Sequence, residues 1–238
     1  MPFINIFKVN MAAYFERINF STLIVTMFKS CGVSLEVFFL TLLFSLPLAL
    51  LIAFGRMSKF KPLAILTNVL MLIIRGTPLM LQLIFVYFAP PLFFKALGYS
   101  GNLPGFDRFT AAIVAMSINY ACYFAEIYRG GIQSIPAGQY EAAKILGFTG
   151  NQTFFRIILP QVVKRILPAM GNEVITLVKD TALVQVLGVA ELFHVAQTQS
   201  GRLVSTMPLF IAGVFYFIMN YLVAKVFAVA EDKLNYYK

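Results

Sequence analysis

Apolar residues fill five long stretches of this sequence, at 31–55, 62–94, 109–127, 166–192 and 207–230, and polar residues gather between them. Most of these stretches reach or approach the ~20 residues that carry a helix across a ~30 Å hydrocarbon layer. Lipid satisfies no free backbone group, and the alternation of a barrel strand is missing, so helices are the expected form. Stretch 62–94 is too long for one crossing, since 33 helical residues would run about 50 Å. Its break falls at "RGTP", residues 75–78, where Thr77 suits a helix N-cap and Pro78 the first helical position. The pattern predicts a separate or interfacial helix over 63–74, then a second span from Pro78 to the Pro90, Pro91 pair. The fold class is an all-α integral membrane protein of about five transmembrane helices. Segment 1–30 precedes the first span, and 31–238 forms the transmembrane domain.

Composition agrees with the pattern. The chain is 60% apolar and 12% charged, against about 25% charged in soluble domains. The net charge of +9 sits mainly in short connections, where orientation signals belong, rather than in a nucleic-acid patch, so no nucleic-acid partner is expected. Cys31 and Cys122 have neither metal spacing nor a disulfide framework and read as small membrane-buried residues. Lys8, Glu16, Arg17 and Lys29 interrupt the first thirty residues, which leaves no cleavable signal pattern.

Charge also orients the spans. With the N-terminus outside, the cytoplasmic segments hold Arg56, Lys59 and Lys61, then Arg129, Lys144, Arg156, Lys164 and Arg165, then Lys225, Lys233 and Lys238. That is eleven cations, against six outside: Lys8, Arg17, Lys29, Lys95, Arg108 and Arg202. The positive-inside bias puts 1–30 on the extracytoplasmic side, and the C-terminus and the 129–165 loop in the cytoplasm.

That loop contains "IPAGQYEAAKILG", which reads as a short helix with Pro136 in its first turn and Gly147 as its stop. Tyr140, Ala143 and Gly147 recur at helical spacing, as do Ala142, Ile145 and Leu146. Small side chains at 142 and 143 would let another protein approach closely. A plain surface connector is the alternative.

The loop resembles the cytoplasmic signature of bacterial ABC-importer membrane subunits: EAA, three residues, Gly, nine residues, Ile, one residue, Leu-Pro. The matching residues are Glu141, Ala142, Ala143, Gly147, Ile157, Leu159 and Pro160. "RGTPLMLQLIFVYF" (75–88), "YFAEIYRGGIQSIPAGQYEAAKILG" (123–147) and "LVKDTALVQVLGVAEL" (177–192) extend the likeness to the polar amino-acid permeases of the histidine/glutamine type. Ala182 departs from it, since the family usually has Ser after Lys-Asp-Thr. The resemblance implies a type I ABC importer transmembrane domain in a bacterial cytoplasmic membrane. Implied partners are ABC ATPase subunits, a second permease copy (identical or related), an extracytoplasmic amino-acid-binding protein and membrane lipid. The coupling residues it implies are Tyr140, Glu141, Ala142, Ala143, Leu146 and Gly147. No GxxxxGK[ST] phosphate loop occurs. The permease is therefore expected to be non-enzymatic and to need no cofactor of its own, with ATP and Mg²⁺ bound by the partner ATPase.

The fourth stretch carries the candidate chemistry. Asn172, Glu173, Thr176, Lys179 and Asp180 fall within a helical arc of about 120°. Each ionised side chain at mid-membrane costs about 2.5–3.5 kcal/mol on insertion scales, so the stripe is expected to face protein or water. It either lines a path, with Lys179 attracting a carboxylate and Asp180 an ammonium, or forms an ion-pair network between helices. Arg75 either reinforces a half-helix N-terminus starting at Pro78 or anchors the membrane interface. Gln82, one turn on, is placed to face the path, Glu126 to pair with Arg129, and His194 to be a structural polar residue near a span end. No grouping suggests a metal or a catalytic residue. The competing reading is an ion- or proton-coupled secondary transporter using Asp180 and Glu126, which five spans without an inverted repeat disfavour. An intramembrane enzyme would need a nucleophile–base pair that the sequence does not present.

Overall fold

The computed structural model of the chain describes residues 19–99, 101 and 105–234. Residues 1–18 of the expected N-terminal segment, with Lys8 and Arg17, lie outside the described residues, as does Lys238.

Helix α1 (Phe20–Arg56) begins well before the expected position 31. Asn19 caps it by accepting from the Thr22 N–H at 3.2 Å, and the Thr26 and Ser30 hydroxyls fold back onto carbonyls of the preceding turn. Its polar first turns are thus satisfied within the helix, which hydropathy alone does not register. Helix α2 (Lys61–Gly76) and helix α3 (Leu79–Ala96) confirm the break at 75–78. The roles inside it differ from expectation. Thr77 does not cap α3; its hydroxyl bonds back to the Ile73 carbonyl at 2.9 Å and so closes α2. Pro78 takes the N-cap position with extended backbone, and the helix starts one residue later. Helix α3 also runs on through Pro90 and Pro91, because the fixed φ of proline is itself helical and the missing N–H groups loosen the turn without ending it.

Helix α4 (Arg108–Gln133) is capped by Asp107, whose carboxylate accepts from the Phe109 and Thr110 N–H groups at 3.0 and 3.1 Å. The Thr110 side chain and these amides hold that carboxyl below its usual range. Helix α4 continues beyond Ile127 because Arg129 bonds both Glu126 and Gln133 along its flank. It is the centre of the fold, packed against α1 along its length. Ala111, Ala112, Ala115, Ala121 and Ala125 are buried there, and side chains this small let neighbouring helices approach.

Helix α5 (Ala137–Ile145) is followed by the single turn α6 (Gly150–Gln152), a π-helical turn over Thr153–Ile158, and helix α7 (Leu159–Asp180). The expected unbroken fourth span, 166–192, is not one helix. Helix α7 ends at Asp180 and gives way to a 3₁₀ turn, Thr181–Leu187, closed by Gly188 at φ 75°. The Thr181 hydroxyl bonds the Val178 carbonyl at 2.8 Å, and Glu191 then caps a new helix, α8 (Leu192–Leu203). Helix α9 (Met207–Leu234) completes the chain.

Among the described residues, α1, α3, α4 and α9 are long and apolar enough to cross a membrane. Helix α7 is comparable in length but carries the charged stripe. Large apolar side chains face outward from α1 and α9, among them Phe39, Leu51, Phe210 and Phe217, as a lipid-facing surface requires. Helices α2 and α3 bury only one side chain each, Met71 and Leu83.

Candidate functional site

Helix α7 sorts its stripe into two parts. Asn172, Thr176 and Lys179 are exposed on the surface of the single chain, and the Thr176 hydroxyl is turned onto the Asn172 carbonyl at 2.9 Å. Glu173 is half-buried. Asp180 turns inward and accepts a 2.7 Å hydrogen bond from Tyr120, a buried residue of α4. Asp180 and Arg75 both lie within electrostatic reach of Glu173. The stripe and the α2–α3 break therefore meet across the face of α4 that carries Tyr120 and Tyr123.

The break itself is held by Gln82. Its amide nitrogen lies 2.7 Å from the Ile74 carbonyl and 3.0 Å from that of Thr77, and its oxygen accepts from Asn119 at 2.9 Å. Gln82 is thus a holder of the break and presents no free amide to a ligand. Arg75 sits with its guanidinium 5.2 Å from the Tyr123 ring centre and 3.7 Å from the Glu126 carboxylate. Those contacts tie the end of α2 to α4. Glu126 pairs with Arg129, as the spacing predicts, and also with Arg56 at the end of α1. Three guanidiniums on one carboxylate leave a local excess of positive charge where α1, α2 and α4 meet.

The loop after α4 is a built unit. Helix α5 ends in a Schellman motif: Phe148 N–H bonds the Ala143 carbonyl at 3.0 Å and Gly147 N–H that of Lys144 at 3.1 Å. Gly147 has φ 78°, so its role as stop follows from backbone that other residues rarely adopt. Thr149 and Gln152 form a capping box at α6. Beneath, Ile135, Ile158 and Val162 make a small core of their own. Helix α5 packs on the π-helical turn, and Ala143 is only 1% exposed. This corrects one expectation: Ala143 serves contact within the chain and cannot meet a partner. The outward surface is Tyr140, Glu141, Ala142, Ile145 and Leu146, with the last two 85% and 73% exposed. Ile145 was legible in the periodicity and belongs with the set.

Glu191 lies in the family-like stretch 177–192, but no local pattern singles it out. It is fully buried, and its carboxylate accepts from the Phe193 and His194 N–H groups at 2.7 and 2.6 Å and from Tyr216 at 2.9 Å, with the Ser34 hydroxyl 3.4 Å away. It joins α1, α8 and α9 at one point. His194 contributes a backbone amide there, in keeping with a structural position near a helix end. Cys31 and Cys122 are buried free thiols. Among the described residues no group of acids, histidines or cysteines could hold a metal ion.

Residues 45–235 match the family described as "Binding-protein-dependent transport system inner membrane component". The chain is 38% identical over 200 residues to the L-cystine transport system permease protein TcyB of Bacillus subtilis (strain 168), covering 83% of this chain and 82% of that one. It is 34% identical over 208 residues to the arginine transport system permease protein ArtQ of the same strain, covering 87% and 91%. A crystal structure of an amino acid ABC transporter with histidines superposes with a TM-score of 0.78 at 32% identity, over 92% of this chain and 98% of that one. The inward-facing MetNI methionine ABC transporter, at 21% identity and a TM-score of 0.64 over 90% and 96%, shares the fold.

Proposed function

This chain belongs to the family of binding-protein-dependent transport system inner membrane components, and from that premise we propose how its surfaces divide the work of transport. It is a multi-pass membrane protein and an amino-acid ABC transport permease subunit. The reading beyond that is an importer subunit for polar amino acids that hydrolyses no ATP itself. Helix α5 couples it to a separate ATPase, which binds ATP and Mg²⁺. The N-terminus lies outside and the C-terminus in the cytoplasm, on the charge bias of the connections. An extracytoplasmic amino-acid-binding protein delivers the substrate.

The observation that carries the coupling role is the exposure of Ile145 and Leu146 on a helix fixed at both ends. Two large apolar side chains in a polar loop are costly to leave in water, and a groove on another protein relieves that cost. The Schellman motif and the small core beneath give the helix the stiffness a mechanical link needs. A second permease copy, identical or related, covers the face of α3 that the single chain leaves open.

The exposed part of the stripe, Asn172, Thr176 and Lys179, lines the path at that joint, with Glu173 behind it. Lys179 supplies a cation for the carboxylate that every amino acid carries. Asp180 is held by Tyr120 and acts from the wall, and Arg75 and Gln82 act by fixing the break beside it.

The test is uptake in vesicles containing the purified permease, its ATPase and its binding protein. Leu146→Asp with Ile145→Asp should abolish co-purification of the ATPase and ATP-driven uptake while the permease remains folded. Uptake driven by an ion gradient without nucleotide would overturn the reading.

A further inference from the structure

The loop "RMSKFK", at 56–61, and helix α2 border a shallow, open hollow that the transport reading does not use. It holds about 340 Å³ and is lined by Arg56, Lys61, Ala64, Ile65 and Asn68. None of these lining residues is acidic. Arg56 shares Glu126 with Arg75 and Arg129, and Arg75 also lies within reach of Glu173, so three positive charges still outnumber the acids beside them. Lys59 and Lys61 have no ion-pair partner among the described residues. The hollow is therefore cationic beyond what the chain itself neutralises, and Asn68 adds amide donors on its wall.

Its surroundings are apolar. Phe60, Ile65 and Leu66 are 66%, 62% and 68% exposed and flank the cations on the surface of α2. A site read by a soluble anion or by an acidic protein surface has no use for such a border. An amphiphile does: its charged group meets the cations and its chains lie on the apolar flank. Depth agrees as well. Glu126, which fixes the level of Arg56, lies seven residues before the end of α4 at Gln133, roughly 10 Å of helix further into the protein than the coupling loop. Helix α2 is also tied down at this point, since a β-carbon on Gly55 would lie 2.8 Å from the Thr67 methyl.

The geometry points to an anionic phospholipid site, with the phosphodiester between Arg56 and Lys61, Asn68 donating to it, and the acyl chains along Phe60, Ile65 and Leu66. The site depends on none of the transport reading and is tested on the purified permease alone.

The experiment is native mass spectrometry of the detergent-purified chain offered phosphatidylglycerol and phosphatidylcholine of identical acyl chains in equal amounts. The wild-type protein should retain phosphatidylglycerol preferentially. Lys61→Gln combined with Asn68→Ala should cut that preference by about fivefold or more, the worth of one cation near an anionic surface. Lys95→Gln, at the far end of α3, should leave it unchanged and serves as the charge control. Circular dichroism and gel filtration establish that the double variant is folded. Equal retention of the two lipids by the wild type overturns the proposal, as does undiminished preference in the folded double variant. Displacement of the lipid by excess inorganic phosphate would assign the site to a free anion and overturns the lipid reading too.

Discussion

Tyr120 of α4 and Asp180, the last residue of α7, are joined by a 2.7 Å hydrogen bond at the point where the α-helix tightens into a 3₁₀ turn. The tyrosine is 2% exposed and Asp180 is half-buried, so the bond is largely shielded from water. A hydrogen bond to a charged group is worth about 1.5–3 kcal/mol, and leaving the carboxylate without its donor adds a desolvation cost. Tyr120→Phe should lower the melting temperature of the detergent-purified protein, and Asp180→Asn, which keeps an acceptor, should lower it less. Equal melting of Tyr120→Phe and wild type would show that the pair holds nothing together.

Lys179, one residue away, is exposed and separates cleanly from that structural role. Lys179→Gln should leave expression, melting and ATPase co-purification at wild-type levels while reducing ATP-driven uptake about tenfold, the loss of roughly 1.4 kcal/mol of carboxylate attraction. Rescue by Lys179→Arg is expected, because the charge is retained. Undiminished uptake by Lys179→Gln would remove it from the path.

Glu191 supports three helices through one carboxylate, and both of its oxygens are in use. Glutamine in its place would point an NH₂ group at a neighbouring donor. Each buried donor left unsatisfied costs about 1–3 kcal/mol, and here two are backbone amides of the α8 cap. Glu191→Gln and Glu191→Ala should both produce protein that melts far earlier or fails to accumulate. Tyr216→Phe, which removes one donor and leaves the cap intact, should cost much less. A thermal melt of the three variants side by side checks the order.

These two acids mark where the sequence is and is not legible. The break at 75–78, the helix over "AGQYEAAKI" and its glycine stop follow from local rules, because proline, glycine and apolar spacing act within a few residues. Glu191 does not, since Ser34 lies 157 residues and Tyr216 25 residues from it, and a single acid near the end of an apolar run reads as a boundary charge. The end of α7 is hidden for a related reason: the apolar run continues through the 3₁₀ turn, so hydropathy is blind to the change in helix type. Ala143 reads as a contact residue for a partner, yet it is buried on a helix that packs against a π-helical turn no periodicity predicts. Among the stripe residues, position on a 100° wheel gave the shared face. It could not tell that Asp180 would be claimed by Tyr120, because that depends on how α4 packs.

The adjacent glycines 130 and 131 offer a test of how the coupling loop is attached. Both lie in α4, so replacing either by alanine gains helix propensity of up to about 1 kcal/mol. Their surroundings differ. A β-carbon on Gly130 would meet nothing within 4 Å, whereas one on Gly131 would lie 2.1 Å from an Ile166 methyl and 3.2 Å from Val162. Both of those side chains belong to α7, and Val162 is part of the small core under α5. Gly131→Ala must push α7 away from α4, and overpacking of that kind costs about 1–3 kcal/mol. Gly130→Ala should therefore melt at or slightly above the wild-type temperature with normal uptake. Gly131→Ala should melt lower and lose ATP-driven uptake disproportionately, because the displaced Val162 and Ile166 belong to the small core on which the loop with Ile145 and Leu146 is seated. Adding Ile166→Ala to Gly131→Ala removes the clashing methyl and should recover part of both losses. Failure of that rescue would mean the close approach at Gly131 does not set the seating of the loop.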